Sequence, residues 1–188
     1  MTVGVRFRTP TLRYFRFQGD PPPLDSFVVV RTPRGLEVGK VRTPPRKAPE
    51  AGEVVRLASK EDLDRAARLR ARGEEILFYL RARLKEEGVK AKVLGCDLTL
   101  DGRHLLVHYA ASERVNLRPL GAELARTFGL RVEFQAEGPR EEAAYLGTLG
   151  ACGMESCCST WLQGFAPVSI RMARDQQLPL SPEKISGP

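Results

Sequence analysis

Ala91-Lys92-Val93-Leu94-Gly95-Cys96-Asp97-Leu98-Thr99-Leu100, Asp101-Gly102 and Arg103-His104-Leu105-Leu106-Val107-His108-Tyr109-Ala110 form the stretch that decides the fold. Two runs of strand-forming residues flank an Asp-Gly pair, the pattern of a β-hairpin with a type I′-compatible turn. Alternation places Leu94, Cys96, Leu98 and Leu100 on one face of the first strand, and Leu105, Val107 and Tyr109 on one face of the second. Downstream, Pro119 to Phe128 reads as a short helix closed by Gly129, and Leu130 to Gln135 as a strand.

Upstream, Ser59 and Asp62 make a capping-box-like helix start, with aspartate where glutamate is usual. That helix runs toward Glu87 and stops at Gly88. Its apolar stripe of Leu63, Ala66, Leu77, Leu80 and Leu84 is interrupted by Arg70 and Gly73. A bend or break is expected near Gly73, because glycine costs a helix interior about 1 kcal/mol relative to alanine. The order helix, strand, strand, helix, strand predicts an α+β layer with helices on one side of a mainly antiparallel sheet.

Before this layer the pattern changes to short strands. Thr2 to Arg8 alternates with Val3, Val5 and Phe7 on one face, and Leu12, Tyr14, Phe15 and Phe17 continue an aromatic strand. Gly19-Asp20-Pro21-Pro22-Pro23 breaks the sheet, Ser26 to Arg31 suits a buried strand, and Pro33-Arg34-Gly35 turns into Leu36 to Val41. Thr43 to Gly52, with three prolines, reads as a linker or long loop. The expected organisation is therefore a small β-module over residues 1–52, a small barrel being one form of it. An α+β domain over residues 53–188 follows, ending in a cysteine-containing loop and short helices.

The charge of +7 is concentrated at the N-terminus, where residues 1–50 hold ten basic and four acidic side chains. Such a surplus can attract an acidic partner such as RNA, or simply keep an arginine-heavy surface soluble. Arg65, Arg68, Arg70 and Arg72 follow Glu61 and Asp64 at helical spacing, the pattern of a salt-paired, solvated face. The longest apolar run, Ile76 to Leu80, is far short of the roughly 20 residues that cross a bilayer. The N-terminus lacks a secretory apolar block, and four cysteines in a chain this long do not make a disulfide scaffold. A cytoplasmic protein is expected.

Chemical content is concentrated in Gly150-Ala151-Cys152-Gly153-Met154-Glu155-Ser156-Cys157-Cys158. Three thiols within seven residues are soft ligands suited to zinc or an iron–sulfur cluster. Both sites ordinarily take four protein ligands, so a fourth must come from Cys96, a histidine or another chain. Reduced inert thiols, or a disulfide or redox couple from Cys152 to one of the pair, are the other readings. Cys96 belongs to the core side of its strand. His104 and His108, four apart on a strand, lie about 13 Å from each other and read as sheet-surface residues. No phosphate loop, dinucleotide fingerprint or paired metal-binding histidine motif is present, so an enzyme is not the expected class. Phe165, Val168 and Met172, beside Arg171 and Arg174, read as anchors of a basic amphipathic helix that packs on its own sheet or docks a partner.

Further motifs are Gly4-Val5-Arg6-Phe7, Arg34-Gly35-Leu36-Glu37-Val38-Gly39-Lys40-Val41, Arg114-Val115-Asn116-Leu117-Arg118, Cys157-Cys158-Ser159-Thr160, Pro167-Val168-Ser169-Ile170-Arg171-Met172-Ala173-Arg174-Asp175-Gln176 and Lys184-Ile185-Ser186-Gly187. In these the chain resembles, over nearly its whole length, the bacterial PSP C-terminal-domain family of YaaT/RicT-like proteins. The resemblance implies a non-catalytic regulatory or adaptor subunit that assembles with small RicA- and RicF-like proteins. It implies that this assembly carries iron–sulfur clusters and works with the endoribonuclease RNase Y in mRNA processing. By match, Cys152, Cys157 and Cys158 would be ligands of a cluster shared with partner chains, with zinc as the alternative. The family usually continues past Lys-Ile-Ser-Gly into a second cysteine cluster, whereas this sequence stops at Pro188; it is either a truncated chain or a branch with half the thiols. Met154 stands where arginine is common and Asn116 where aspartate is common. The alternatives are an RNA-binding accessory protein using the basic N-terminal module, and a thiol oxidoreductase.

Overall fold

The computed structural model describes residues 1–7, 12–150, 152–160 and 169–177. Five strands come first: β1 (Thr2–Arg6), β2 (Leu12–Arg16), β3 (Phe27–Thr32), β4 (Gly35–Val41) and β5 (Gly52–Leu57). They close into a barrel in the order β1-β2-β5-β3-β4, with β4 returning to β1. The alternation dictates the interior: Val3, Val5, Phe15, Val28, Val30 and Val41 are fully buried together, and Phe7 packs edge-on to Phe15 at 5.7 Å.

The fifth strand was not legible in sequence, and it moves the boundary of the β-module. Residues 53–57, expected to begin the α+β domain, pair with β3 and with β2. A β-carbon at Gly52 would lie 2.0 Å from the carbonyl oxygen of Arg31, so only glycine lets β5 close the barrel. Glu53 then bridges Arg16 at 3.2 Å and Arg31 at 3.1 Å.

Next come α1 (Lys60–Glu86), β6 (Lys92–Leu98), β7 (His104–Ala110), α2 (Arg118–Phe128) and β8 (Arg131–Ala136). The α+β class and the order helix, strand, strand, helix, strand are as expected, but the sheet is not mainly antiparallel. Its strand order is β6-β7-β8, antiparallel between β6 and β7 and parallel between β7 and β8. The capping box is complete: Ser59 Oγ accepts from the Asp62 N–H and Asp62 accepts from the Ser59 N–H. Arg56 also clasps Asp62, and these donors hold its carboxyl well below the usual aspartate range.

Three local expectations are corrected. First, α1 continues through Gly73, where a β-carbon would sit 3.0 Å from Cys96 Sγ. Glycine there serves close helix–sheet packing, and Cys96 donates to the Gly73 carbonyl at 3.3 Å. Second, a bulge between Val93 and Gly95 turns Val93 and Cys96 into the core, so Leu94 does not share the Cys96 face. Third, the hairpin loop is longer than two residues. The Thr99 N–H still bonds to the His104 carbonyl, and only Gly102 of the Asp-Gly pair has positive φ. Asp101 accepts from the Thr99 hydroxyl and the Arg103 N–H, which lowers its pKa.

The core of the layer joins Ile76, Leu77, Leu80 and Leu84 of α1 to Leu105 and Val107 of β7 and to Leu120 and Leu124 of α2. Arg83 of α1 grips Glu123 of α2, which also accepts from the Tyr79 hydroxyl. Helices are not confined to one face. On α3 (Pro139–Leu146), Tyr145 packs against the His108 ring in a tilted arrangement with centroids 5.4 Å apart, and His108 points away from its strand neighbour Val107. The chain's last described helix is the short α4 (Ile170–Asp175). The barrel meets the layer directly, the Leu100 N–H donating to the Leu36 carbonyl at 2.7 Å.

Candidate cysteine-loop site

After α3, Gly147 takes a left-handed conformation and the chain folds into two successive tight turns. Leu149 bridges Glu155, and the Gly150 N–H donates to the Met154 carbonyl at 2.8 Å. Cys152 sits at the tip of this first turn and is exposed. The second turn centres on Ser156, which is 3% exposed. Its carbonyl accepts from the Ser159 N–H at 3.0 Å and the Ser159 hydroxyl at 2.8 Å. This winding leaves Cys157 exposed and Cys158 half-buried, with Cys158 Sγ 3.4 Å from Ser156 Oγ. All four cysteines are thiols, and Cys96 is buried in the layer core as expected.

The loop is anchored from the far end of the chain. The Arg6 guanidinium donates to the Thr160 carbonyl at 2.9 Å and more weakly to the Ser159 carbonyl at 3.4 Å. Burial, with Arg42 nearby, lowers the Arg6 pKa. Carbonyls at the end of a tight turn lack partners of their own, and a planar fork on the rigid barrel supplies them. Nothing local in the sequence links residue 6 to residue 160.

The three predicted thiols thus share one short segment open to solvent. The donor set is chemically soft, but among the described residues no three His, Cys, Asp or Glu side chains converge on one ion. The described residues therefore do not by themselves fit a complete metal or cluster site. Of the predicted amphipathic segment, Phe165 and Val168 lie outside the described residues. Met172 is half exposed and so does not pack on the chain's own sheet, and Ala173 is the buried residue of α4.

Sequence reasoning placed both histidines on the sheet surface, and His108 is instead fully buried. Its Nδ1 donates to Glu137 at 2.6 Å, and its Nε2 lies 3.4 Å from Asp97. The usable signal was that Leu106, His108 and Ala110 share a face, implying that both faces of the sheet are covered. The basic N-terminal residues are largely used locally: Arg34 pairs with Glu37, Lys40 and Arg42 pair with Asp25, and Arg46 lies over Tyr14.

Comparison with known proteins places the chain in a family. Stage 0 sporulation protein YaaT of Bacillus subtilis (strain 168) is 35% identical over 192 residues, spanning 98% of this chain and 70% of the relative. The chain belongs to the YaaT family. The model of the PSP1 C-terminal conserved region matches residues 52–136, and that of the PSP1-like protein, third domain, matches residues 167–188. In this YaaT-family member the first match covers β5 to β8, and the cysteine loop falls between the two. No solved structure matches the chain. No helix among the described residues is long and apolar enough to cross a membrane.

Proposed function

We propose that this protein is a non-catalytic regulatory adaptor whose cysteine loop is an assembly point for partner chains. Membership of the YaaT family supports a regulatory role. The observation that carries the finer reading is the exposure of Cys152 and Cys157 on a loop that Arg6 ties to the barrel at Thr160, with no complete ligand group among the described residues. Soft, solvent-facing and coordinatively incomplete thiols favour completion by another molecule. In this reading small RicA- and RicF-like proteins supply the missing ligands of a shared iron–sulfur cluster, zinc being the alternative. The assembly acts in the cytoplasm with RNase Y on mRNA. The chain's own part is to present the thiols; it needs no nucleophile or general acid.

The test is anaerobic co-expression with RicA- and RicF-like proteins, followed by affinity purification with iron, zinc and sulfide analysis. The native chain should retain both partners with bound metal. Replacing Cys152, Cys157 and Cys158 together by serine should release the partners and the metal. A triple variant that keeps every partner would refute the loop as the assembly point. RNA binding that falls steeply with salt and tracks the barrel arginines would favour the nucleic-acid reading instead.

A further inference from the structure

The two edges of the three-stranded sheet differ. The β6 edge is broken by its bulge and flanked by α3, both of which discourage strand addition. The β8 edge is regular from Arg131 to Ala136, and no other strand pairs with it among the described residues. The Arg131 N–H bonds to the Arg103 carbonyl and the Glu137 N–H to the Tyr109 carbonyl, so odd-numbered residues face β7. Val132, Phe134 and Ala136 therefore turn their N–H and C=O groups outward.

That row of backbone groups borders an open groove of about 930 Å³ between β8 and α2. Gly121 brings α2 close, since a β-carbon there would lie 3.1 Å from the Phe134 ring. Val132, Phe134, Ala122 and Ala125 make an apolar trough. At its rim stand Arg114 and Arg118, exposed and without ion pairs among the described residues, and no acidic side chain lines it.

We propose that this edge and groove dock an extended acidic segment of a partner protein, added as a fourth strand beside β8. The proposal rests on the adaptor reading and names a second surface for it, separate from the cysteines. Main-chain hydrogen bonds would fix the strand, alternate apolar side chains would enter the trough, and its carboxylates would meet Arg114 and Arg118. A nucleic acid fits less well, because its donors and acceptors do not repeat in the alternating N–H and C=O spacing that a strand edge presents. A second copy fits less well too. Two-fold antiparallel pairing would set the Arg114–Arg118 end of each chain against the Arg126 and Arg131 end of the other.

The test uses the full chain and a fluorescent, end-blocked peptide of about seven alternating valine and glutamate residues, long enough to span β8. Anisotropy should show binding that weakens about tenfold in the Arg114→Glu/Arg118→Glu variant. In the native chain, amide exchange should slow at Val132, Phe134 and Ala136 on peptide addition, with no change at Arg131, Glu133 and Gln135. The serine variant of the three cysteines should bind the peptide undiminished, so loss of the groove and loss of the cysteine assembly read out separately. Absent binding, or equal binding of a valine–lysine peptide, overturns the proposal. So does protection of the three amides before peptide is added, which would mean that the chain itself or a second copy covers the edge. Binding of a short oligouridylate with the same arginine dependence and no amide protection would assign the groove to RNA instead.

Discussion

Replacing Arg6 by methionine keeps the apolar stem but removes the fork that ties the barrel to the cysteine loop. The structure shows one good bond, to the Thr160 carbonyl at 2.9 Å, and one long contact, to the Ser159 carbonyl at 3.4 Å. A charged donor on a half-buried carbonyl contributes about 1.5 kcal/mol, and the long contact adds little. Arg6 Nε is buried without a hydrogen bond among the described residues, so its removal leaves no new unpaired group on the barrel side. The expected effect is local: a shift of about 1.5 kcal/mol raises the open population of the second turn about tenfold. Alkylation by iodoacetamide, followed per cysteine by mass spectrometry, reads this directly. Cys158 is half-buried and should react about tenfold faster in the variant, in proportion to turn opening. Cys152 is already exposed in a separately closed turn and should not change, and buried Cys96 should stay protected. An unchanged Cys158 rate would show that Arg6 does not hold the loop. Parallel acceleration of Cys96 would show that the whole fold had loosened.

Three further outcomes are expected. Gly52→Ala should cost about 3 kcal/mol in urea unfolding, because the added methyl would overlap the Arg31 carbonyl where β5 closes the barrel; a change under about 1 kcal/mol would contradict that closure. His108→Leu should destabilise by about 2–3 kcal/mol by stranding the Glu137 carboxylate, which is 9% exposed, and His108→Leu/Glu137→Gln should recover part of the loss in thermal melts. Asp62→Asn should cost about 1 kcal/mol at neutral pH, because the neutral amide keeps an acceptor for the Ser59 N–H but loses the negative charge that pairs with Arg56 and favours the helix N-terminus. The folded pKa of Asp62 is depressed, so its contribution is complete above the unfolded value, about pH 4, and disappears as pH falls through the lower folded value. Melting temperatures of the native and Asp62→Asn chains should therefore converge in acid, and a gap that persists would refute the ionic origin.

Much of the fold was legible from short-range signals, for a common reason. The Ser59–Asp62 cap, the Gly88 and Gly129 stops, and the alternation in Val3, Val5, Leu105 and Val107 each act between residues a few positions apart. The bulge at Val93 and Gly95 escaped because one inserted residue changes the facing of a strand without changing its composition. Gly73 read as a helix breaker because its value lies in Cys96, 23 residues away. The same separation governs the candidate site. Soft thiols within seven residues could be read directly as chemistry, and the family motifs pointed to the same loop.

The residues alone established an α+β chain with a β-rich start and one sulfur-bearing loop, because side-chain periodicity, capping and ligand softness are properties of neighbouring residues. Pairing between distant segments was settled by packing: β5 closing the barrel, Arg6 holding the turn at Thr160, His108 sealed between Glu137 and Tyr145, and β8 left as the regular edge. Those contacts depend on which apolar faces bury one another in three dimensions, and local sequence does not encode that choice residue by residue.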